Sequence, residues 1–490
     1  MQKSALDTFL SHYPESVLQA FNDCARSRGQ DIYLVGGALR GLLIDVVSAD
    51  LDFAVNYGAA DFVHEVRRRL GQGSVVILGD EENDTARLVL EDLSLDVAGY
   101  RKGARTIEDD LVKRDFTINS LAVLLDNLVQ PDSEVEVIDP LGGFNDLRLR
   151  VVRACPGCFE DDPLRLLRAY RFGAQLDFMI DADTQQQIKA KSTLIETVAA
   201  ERISFELDLI MATPRAYRSF KAMQESGLLA LLIPELYEGA GVDQPPFHHL
   251  DVLEHNLATL DFTERVIDQP AIYFPRCYDL VDGVADDTER LITLKWAALF
   301  HDIGKPAARK VDDDQKRRIT FYNHDEQGAA QAQQIAERWK WSKRKTRRVV
   351  SLIAMHMHPF HLNNVMQNQE AVSTRAMYKI CKRAGANLYP LFVLAMADSL
   401  AGQGPEKPAH IEEQLEQLFV EVARFYEETL VPAEARPKLL TGHDLIDTFN
   451  LSSGPEIGRL LEAVEAAAID GQIATREEAL AWVGELLDRG

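Results

Sequence analysis

The chain has 490 residues, which is too long for one hydrophobic core, so about two to four compact units in series are expected. Hydrophobic residues make up 46% and charged residues 27% of the sequence, as in ordinary globular proteins, and no run approaches the roughly 18 uninterrupted apolar residues of a membrane helix. The formal net charge of −24 means that any binding of nucleic acid depends on local clusters of Lys and Arg, such as the run over 343–348.

The N-terminal segment lacks the basic start, apolar core and small-residue cleavage site of a secretory signal, so we expect a cytoplasmic protein. Five cysteines are an odd count and sparse for this length, which argues against a disulfide framework and fits a reducing compartment. Cys155 and Cys158 form the one close pair. We interpret them as reduced thiols in a turn, with a redox or metal role as the alternative.

The N-terminal part of the chain has the pattern of a small mixed sheet. Apolar positions at helical spacing predict a helix over 5–28 that ends at Gly29, followed by a buried strand at 32–35. A further helix is predicted over 59–70. Runs of apolar and β-branched residues predict strands at 51–55, 74–78, 86–90 and 93–98.

From about residue 160 onward strand signals vanish, and amphipathic helical patterns continue nearly to the C-terminus. The segment 265–290 breaks the periodicity and is predicted to be an insertion loop. The acid-rich run 312–314 is predicted to be a turn. The pattern as a whole predicts an α+β protein, with a mixed-sheet head followed by an all-helical remainder.

Three carboxylates are candidates for one metal site. Asp50 and Asp52 lie two residues apart on a predicted strand, so their side chains share a face, and Asp96 can join them if its strand is adjacent. Mg²⁺ prefers carboxylate oxygens, and two-metal phosphoryl transfer uses such clusters. Gly36 and Gly37 would let backbone N–H groups approach a phosphate without an intervening Cβ. Taken alone, alternating acids are also typical of a solvated strand face.

Five motifs, found in family order, resemble those of class II tRNA nucleotidyltransferases, the family of CCA-adding enzymes and bacterial poly(A) polymerases. The first has two parts, LVGGALR and DLDF, at 34–40 and 50–53. The other four begin EDDLVKRDFTIN, DPLGG, DDPLR and ERISFEL and lie at 108–119, 139–147, 161–172 and 201–207.

The resemblance implies template-independent addition of C or A, from CTP or ATP, to the 3′ end of tRNA. It implies that Asp50 and Asp52 hold Mg²⁺ and that Asp96 is the third catalytic acid. It also implies that Asp162 and Arg165 offer hydrogen bonds to the Watson–Crick edge of the nucleotide. The other residues implied to bind nucleotide are Gly36, Gly37, Arg40, Arg114, Asp115, Asn119, Arg168 and Arg171.

The chain departs from the family pattern at three places. Gly41 stands where an acid is usual, and Asp161 stands where Glu is usual. Only residues 99–105 lie between the strand of Asp96 and Thr106, two residues before the motif at 108–119, whereas CCA-adding relatives have a longer flexible loop there. Relatives without the loop resemble CC-adding enzymes, so CC addition, full CCA addition, and A-only or poly(A) addition all stay open.

A second constellation lies in the C-terminal half, and its order resembles that of HD-domain metal phosphohydrolases. Mixed nitrogen and oxygen ligands suit Mn²⁺, Ni²⁺, Fe²⁺, Zn²⁺ or Mg²⁺, with a position left for a water nucleophile. Scattered core or surface histidines are the alternative. The candidate ligands are His255, His301, Asp302 and Asp398, with His324 and His356 for a second metal.

The resemblance covers nearly the whole chain and implies four regions. They are a polymerase-β-like nucleotidyltransferase head at 1–150, a helical neck at 151–240, an HD domain at 241–405 and a tRNA-contacting helical tail at 406–490. The implied partners are tRNA, CTP and ATP, with no membrane, and a homodimer stays open. Two other hypotheses are a protein that is mainly an HD hydrolase and an RNA-binding scaffold without activity.

Overall fold

The computed structural model describes two compact units. The first comprises Met1–Arg215 with Ser219–Leu232, and the second comprises Ala216–Arg218 with Ile233–Gly490. A mixed sheet in the first unit, followed by a largely helical remainder, confirms the α+β class. The division into four regions is finer than these two units and stays a prediction. The described residues are 12–44, 50–78, 84–91, 93–101, 103–130, 135–312, 318–367 and 372–488.

The first unit contains a six-stranded sheet. Its strands are β1 (Ile32–Val35), β2 (Asp50–Val55), β3 (Ser74–Ile77), β4 (Thr85–Val89), β5 (Ser94–Gly99) and β6 (Ala122–Leu124). They are ordered β3-β4-β5-β2-β1-β6, and β2 and β5 run parallel while the other neighbours run antiparallel. All five predicted strands are confirmed. Strand β6 was not predicted, because its three residues are too few to show a period.

Two helices, Glu15–Arg28 and Ala59–Leu70, cover one face of this sheet and confirm the prediction there. The ring of Phe21 lies 4.9 Å from that of Phe53 on β2 and 5.9 Å from that of Phe62. Residues 5–11 of the predicted first helix lie outside the described part of the chain. Because neighbours on a strand alternate, the face opposite Phe53 is the one that carries Asp50 and Asp52.

The rest of the first unit is mainly helical. A parallel pair, β7 (Val151–Val152) and β8 (Met179–Ile180), shows that strands do occur after residue 160, so that prediction was wrong in detail. Such two-residue strands are too short for the sequence to reveal. The helices are Gly36–Leu43, Ile107–Leu111, Leu125–Val129, Gly143–Leu149, Cys158–Asp161, Arg165–Leu176, Ala182–Lys191, Ala200–Met211 and Leu228–Leu232, with 3₁₀ turns at Thr117–Asn119 and Ser192–Thr197.

The helix Ala216–Glu225 crosses the boundary between the two units. The second unit is helical apart from the hairpin β9 (Lys310–Asp312) and β10 (Arg318–Thr320). Residues 313–317, which include most of the predicted acid-rich turn, lie outside the described residues. The helices are Pro234–Tyr237, Val252–Asp268, Pro270–Tyr273, Tyr278–Ala285, Thr288–Phe300, Lys305–Ala308, His324–Arg338, Lys343–Met355, His358–Gln367, Thr374–Ala384, Leu388–Ala401, Ile411–Phe425, Val431–Glu434, Gly442–Phe449, Pro455–Ile469 and Arg476–Asp488, with a 3₁₀ turn at Gly385–Asn387 and a π turn at Tyr426–Leu430.

The predicted insertion loop over 265–290 was wrong, because short helices fill most of this segment. Pro270 starts a new helix after the preceding one ends at Asp268, as proline in a first helical turn does. Phe274, Val281 and Val284 are buried. The helical period was hidden because the segment contains several short helices with different phases.

One continuous helical stretch, Thr374–Ala401, is long and apolar enough by composition to cross a membrane. Its most apolar window is 78% buried inside the protein, as in the core helix of a soluble protein.

Two residues of the basic run over 343–348 interact with other side chains of the second unit. Lys345 lies 3.7 Å from the ring centroid of Trp341, and Arg344 pairs with Glu289 at 3.3 Å.

Two glycines allow the segment after His301 to lie directly against the helix His324–Arg338. A Cβ on Gly304 would lie 2.2 Å from the carbonyl oxygen of His324 and 2.4 Å from the backbone nitrogen of Gly328. Both atoms belong to the backbone, so a change of rotamer cannot relieve the overlap. This close approach places Asp302 beside His324, with 3.2 Å between Oδ1 and Nε2.

We expect Gly304→Ala to lower the free energy of unfolding of the second unit by at least about 2 kcal/mol, because the new methyl group overlaps the backbone. The matched control is Gly283→Ala, where a Cβ meets nothing within 4 Å and the change should be neutral or stabilising by up to ~1 kcal/mol. All four Trp residues lie in the second unit, so their fluorescence during urea unfolding measures that unit. Equal unfolding midpoints for the two variants would contradict the steric argument.

Candidate active site and candidate metal centre

Three carboxylates meet on the open face of the sheet in the first unit. Asp50 is exposed at the start of β2, and Asp52 follows it on the same face, while Leu51 and Phe53 are buried on the other face. In the parallel pairing of β2 with β5, Asp52 lies directly opposite Asp96. The structure therefore brings together the three acids that the sequence analysis selected.

The backbone of the glycine pair holds Asp52. Gly37 donates its N–H to Oδ2 of Asp52 at 3.2 Å. Gly36 has a φ of +66°, and a Cβ there would lie 2.9 Å from the same carboxylate oxygen, so only glycine fits. Burial raises the pKa of Asp52, and the negative charges of Asp96 and Asp50 raise it further against the Gly37 hydrogen bond. Neighbouring acids that destabilise one another's charge fit a divalent cation.

Arg87, which the sequence analysis missed, is the cation that faces this cluster from β4. Its Nε lies 2.6 Å from Oδ1 of Asp96, and its Nη2 lies 2.8 Å from Oδ2. Arg87 and Asp96 are directly opposite each other in the antiparallel pairing of β4 with β5. The period of β4 places Arg87 on the polar face, but the register that pairs it with Asp96 cannot be read from the sequence.

A second group of polar side chains surrounds Asp115. Arg168 donates to its Oδ2 from Nη2 at 2.6 Å and from Nε at 3.0 Å, while Asn119 donates to Oδ1 at 2.9 Å. Arg40 contacts Asn119 and lies 5.0 Å from the ring centroid of Phe172. Burial alone would raise the pKa of Asp115, but Arg168 and the hydrogen bond from Asn119 bring it well below its ordinary value. Burial lowers the pKa of Arg40 to about 10.

Two further predicted arginines are each bound to an acid that was not selected. Arg114 is buried and pairs with Asp110 at 3.0 Å, and Arg171 pairs with Glu206 at 2.6 Å. Asp110 also accepts from Nη1 of Arg101 at 2.8 Å. Glu206 and Asp110 lie inside the quoted motifs, so their positions in those motifs were the available signal.

Asp162 and Arg165 do not pair with each other. Asp162 instead pairs with Arg202 at 2.8 Å. Nη1 of Arg165 instead donates to the backbone carbonyl oxygens of Lys113, Arg114 and Cys158 at 3.3–3.4 Å. This anchors Arg165 to the segment that carries Asp115.

The connection between β5 and the helix Ile107–Leu111 is short, as the sequence indicates. Arg101 fixes it to Asp110 through its backbone N–H at 2.9 Å as well as through its side chain. Thr106 and Asp109 form a reciprocal capping box at the start of the helix. Among the described residues of this connection, both ends are therefore held by hydrogen bonds.

The cysteine pair lies in a turn next to this group, as predicted. Cys155 and Cys158 are free and buried, and Cys155 contacts Oγ of Ser120 at 3.1 Å. Burial raises the pKa of Cys155 to about 11 and that of Cys158 to about 12. Both therefore have the properties of inert thiols.

The second unit brings the six predicted imidazole and carboxylate ligands together in its core. His255 Nε2 lies 2.9 Å from Asp398 Oδ1 and 3.2 Å from His301 Nε2. Asp302 bridges the two halves, with Oδ2 3.2 Å from His301 Nε2 and Oδ1 3.2 Å from His324 Nε2. Two groups of three have ligand atoms within 4.8 Å of one another: His255, His301 and Asp302, and Asp302, His324 and His356.

Backbone carbonyl groups set the tautomers of three of these rings. Nδ1 of His301, His324 and His356 lies 2.9, 2.7 and 2.7 Å from the carbonyl oxygen three residues earlier. A carbonyl only accepts, so each Nδ1 carries a proton and each Nε2 faces the cluster. The Nε2 atoms of His324 and His356 are 3.1 Å apart, which is close enough for the two nitrogens to bind one cation or to share a proton. The donor set therefore fits metal binding.

A cavity of about 580 Å³ opens onto this cluster. Asp302, His324 and Asp398 line its floor. Lys305, which the sequence analysis did not select, contacts Asp302 and donates to Gln244 at 2.7 Å. The cavity can admit a ligand of nucleotide size, and its other polar and aromatic walls include Lys407, His248, Phe247, Phe321, Tyr322 and Phe360.

Three protein families match the chain. Residues 32–153 match the "Poly A polymerase head domain". Residues 177–238 match the "Probable RNA and SrmB- binding site of polymerase A". Residues 317–483 match the "tRNA nucleotidyltransferase domain 2 putative".

Curated relatives cover nearly the full length. The A-adding tRNA nucleotidyltransferase of Deinococcus radiodurans is 31% identical over 92% of this chain and 94% of its own. The CC-adding tRNA nucleotidyltransferase of Thermus thermophilus is 29% identical over 93% of each. Among solved structures, a CCA-adding enzyme with ATP has a TM-score of 0.64 at 20% identity, covering 100% of this chain and 98% of its own. The Thermotoga maritima CCA-adding enzyme complexed with tRNA has a TM-score of 0.58 at 22% identity, covering 99% and 96%.

We expect Asp115→Asn to destabilise the first unit by about 2 kcal/mol at neutral pH, because it leaves Arg168 only the more distant carboxylate of Glu206, at 3.8 Å. The folded-state pKa of Asp115 is below its ordinary value of 3.8, so the contribution is complete above pH 3.8 and disappears as the pH falls towards the folded-state pKa. The difference between wild type and variant should therefore shrink below about pH 4.

The measurement is urea unfolding followed by far-UV circular dichroism. The transition of the first unit is the one that Trp fluorescence does not report, because all Trp residues lie in the second unit. The control is Asp177→Asn, which breaks the more exposed 3.0 Å pair with Arg215 and should change stability by less than about 1 kcal/mol. A destabilisation by Asp115→Asn that stays constant down to pH 2 would contradict the assignment.

Proposed function

Because the chain belongs to the class II tRNA nucleotidyltransferases, we propose that it adds C or A nucleotides, from CTP or ATP, to the 3′ end of tRNA without a template. The convergence of Asp50, Asp52 and Asp96 on one sheet face is the observation that carries the proposal. Enzymes of this family use a divalent metal, and Mg²⁺ is the ion that three carboxylates suit best. In the reaction the tRNA 3′-hydroxyl oxygen bonds to the α-phosphorus, and the bond to pyrophosphate breaks.

In this proposal Asp50 and Asp52 are the metal ligands and Asp96 is the third acid. A bound divalent cation supplies positive charge to the attacking hydroxyl and to the leaving pyrophosphate. Gly37 holds Asp52 in place through its N–H, and the missing Cβ of Gly36 keeps that oxygen accessible. Because the carboxylates are fixed next to one another, they can hold a cation at a defined position.

The polar group around Asp115 is proposed to receive the nucleotide. Arg168 and Asn119 fix Asp115, and the guanidinium groups of Arg40 and Arg171 lie over the same Phe172 ring at 5.0 and 4.2 Å. Cations held in this way suit a triphosphate. Gly36, Gly37, Arg114, Asp162, Arg165 and Arg168 complete the proposed nucleotide site.

Asp162 and Arg165 are proposed to select the base, since a carboxylate and a planar guanidinium match the donors and acceptors of a Watson–Crick edge. Three carbonyl oxygens already anchor Nη1 of Arg165. Asp162 is shared with Arg202. Whether C, A or both are added depends on this pair and on the short connection held by Arg101.

We expect Asp50→Ala to reduce nucleotide incorporation at least about a thousandfold, because the cation loses a ligand at the reacting centre. Binding of tRNA should remain measurable in a gel-shift assay. The assay uses Mg²⁺ with tRNA transcripts that end at the discriminator base or at CC, each with CTP or ATP alone, and sizes the products to one nucleotide. The same assay assigns the product as CC, A or full CCA.

The matched control is Asp23→Ala, which removes another exposed acid of the first unit from the helix Glu15–Arg28. Its incorporation rate should stay within about twofold of wild type, as for a surface substitution. Incorporation by Asp50→Ala at a near wild-type rate would overturn the proposed roles of the acids.

We also propose that the second unit hydrolyses phosphoesters at its histidine–aspartate cluster. The facing Nε2 atoms of His324 and His356, 3.1 Å apart, carry this second proposal. His255, His301, Asp302 and Asp398 would hold one ion, and His324 and His356, with Asp302 shared, a second. A bound ion would supply an activated water for attack on phosphorus, with the ester oxygen as the leaving group.

We expect His301→Ala to abolish phosphate release while nucleotide incorporation stays unchanged. The probes are p-nitrophenyl phosphate and bis(p-nitrophenyl) phosphate, each with Mn²⁺, Ni²⁺, Fe²⁺, Zn²⁺ or Mg²⁺ after chelation. Metal content is measured by mass spectrometry on the same samples. The control is His443→Ala, an exposed histidine of the same unit. Hydrolysis and metal content that are unaltered in His301→Ala would refute this role.

A further inference from the structure

Arg87 engages both oxygens of the third acid in a fork. Its Nε and Nη2 lie 2.6 and 2.8 Å from the two oxygens of Asp96, the parallel geometry of a strong Arg–carboxylate pair. The neighbours of Arg87 on β4, Ala86 and Leu88, are fully buried on the opposite face. The guanidinium therefore lies on the same sheet face as the three acids.

The acids beside Arg87 outnumber it. Asp96 lies between Arg87 on β4 and Asp52 on β2, because each is its direct partner across a strand pair. Asp50 and Asp52 also raise the pKa of Arg87, after the larger effect of its hydrogen bond with Asp96. The positive charge of Arg87 thus lies beside three carboxylates, and it binds both oxygens of the one that would otherwise be available to a divalent cation held by Asp50 and Asp52.

Resting on the proposed function, we propose that Arg87 is a positioning residue that competes with the divalent cation for Asp96 and so sets the metal concentration that the site requires. Before a cation binds, the fork holds the Asp96 carboxylate beside Asp52 and offsets part of the repulsion among the acids. When a cation binds, the Asp96 carboxylate is shared between Arg87 and the cation, since a carboxylate has about four lone-pair sites. The positive charge of Arg87 then opposes the cation.

Two kinds of role give opposite predictions for metal binding. If Arg87 only held two strands together, its loss would disorder Asp96 and weaken the binding of a cation. If Arg87 competes, its loss removes a positive charge from beside the three carboxylates and strengthens the binding. The sign of the change in metal affinity therefore separates the two roles.

The test is a Mn²⁺ titration of the full chain without nucleotide, with free Mn²⁺ measured by electron paramagnetic resonance. Binding by the second unit is removed by subtracting the titration of the Asp50→Ala/Asp52→Ala variant. We expect Arg87→Ala to lower the Kd for Mn²⁺ by about tenfold, as one charge removed several ångströms from a divalent ion in a solvated site should do. The Mg²⁺ concentration that gives half-maximal incorporation should fall as well.

Two variants serve as controls. Arg87→Lys keeps the charge without the fork, and its Kd for Mn²⁺ should stay within about threefold of wild type. Arg26→Ala removes a positive charge of the same unit that pairs with Asp126, away from the three acids, and should leave the Kd within about twofold. A Kd that is unchanged or higher in Arg87→Ala overturns the inference.

The outcome for the acids is separate from the outcome for Arg87. If the Asp50→Ala/Asp52→Ala variant binds as many Mn²⁺ ions as wild type, the acids are not a metal site, and the proposed transferase mechanism fails together with this inference. If that variant loses Mn²⁺ but Arg87→Ala does not bind it more tightly, only the inference about Arg87 fails.

Discussion

The parallel pairing of β2 with β5 is the constraint on which the candidate transferase site depends. It places Asp52 opposite Asp96, while Phe53, the next residue on β2, is buried against the helices on the other face. Side chains alternate along a strand, so a slip by one residue would bury an acid and expose the phenylalanine. Burial of the apolar face therefore fixes which face of the sheet carries the acids, and hydrogen bonds from Gly37 and Arg87 then orient Asp52 and Asp96.

The sequence predicted much of this arrangement because its signals are local. Alternation along β2 gave the shared face of Asp50 and Asp52, and the order of motifs gave the family and the second ligand cluster. What it could not give was register: Arg87 meets Asp96, and Arg202 meets Asp162, only through pairings across the fold. The secondary structure over 265–290 was also predicted wrongly, because several short helices of different phase obscure the helical period of apolar residues. The strands of two and three residues were missed because they are too short to show a period.

An acidic chain can bind anions when ion pairs with Asp and Glu hold the arginines near its site in fixed positions. Arg168 is held by Asp115, Arg171 by Glu206 and Arg114 by Asp110. Each pair contributes little net charge, but the acid fixes where the guanidinium lies. A ligand phosphate then meets cations whose positions are already set, which lowers the entropy lost on binding. The net charge of −24 describes the whole surface and does not oppose this local arrangement.

The two ligand clusters lie in different units, yet the backbone orients both in the same way. An N–H of Gly37 holds the carboxylate of Asp52, and carbonyl oxygens one turn earlier hold the rings of His301, His324 and His356. Secondary structure fixes the positions of these backbone groups. Replacing a ligand side chain therefore removes a metal-binding atom but leaves the backbone N–H or carbonyl group that held it in place. A change that moves the backbone, such as a Cβ at Gly36, instead displaces the ligand itself. The close backbone approaches at Gly36 and Gly304 therefore help to set where Asp52 and Asp302 lie.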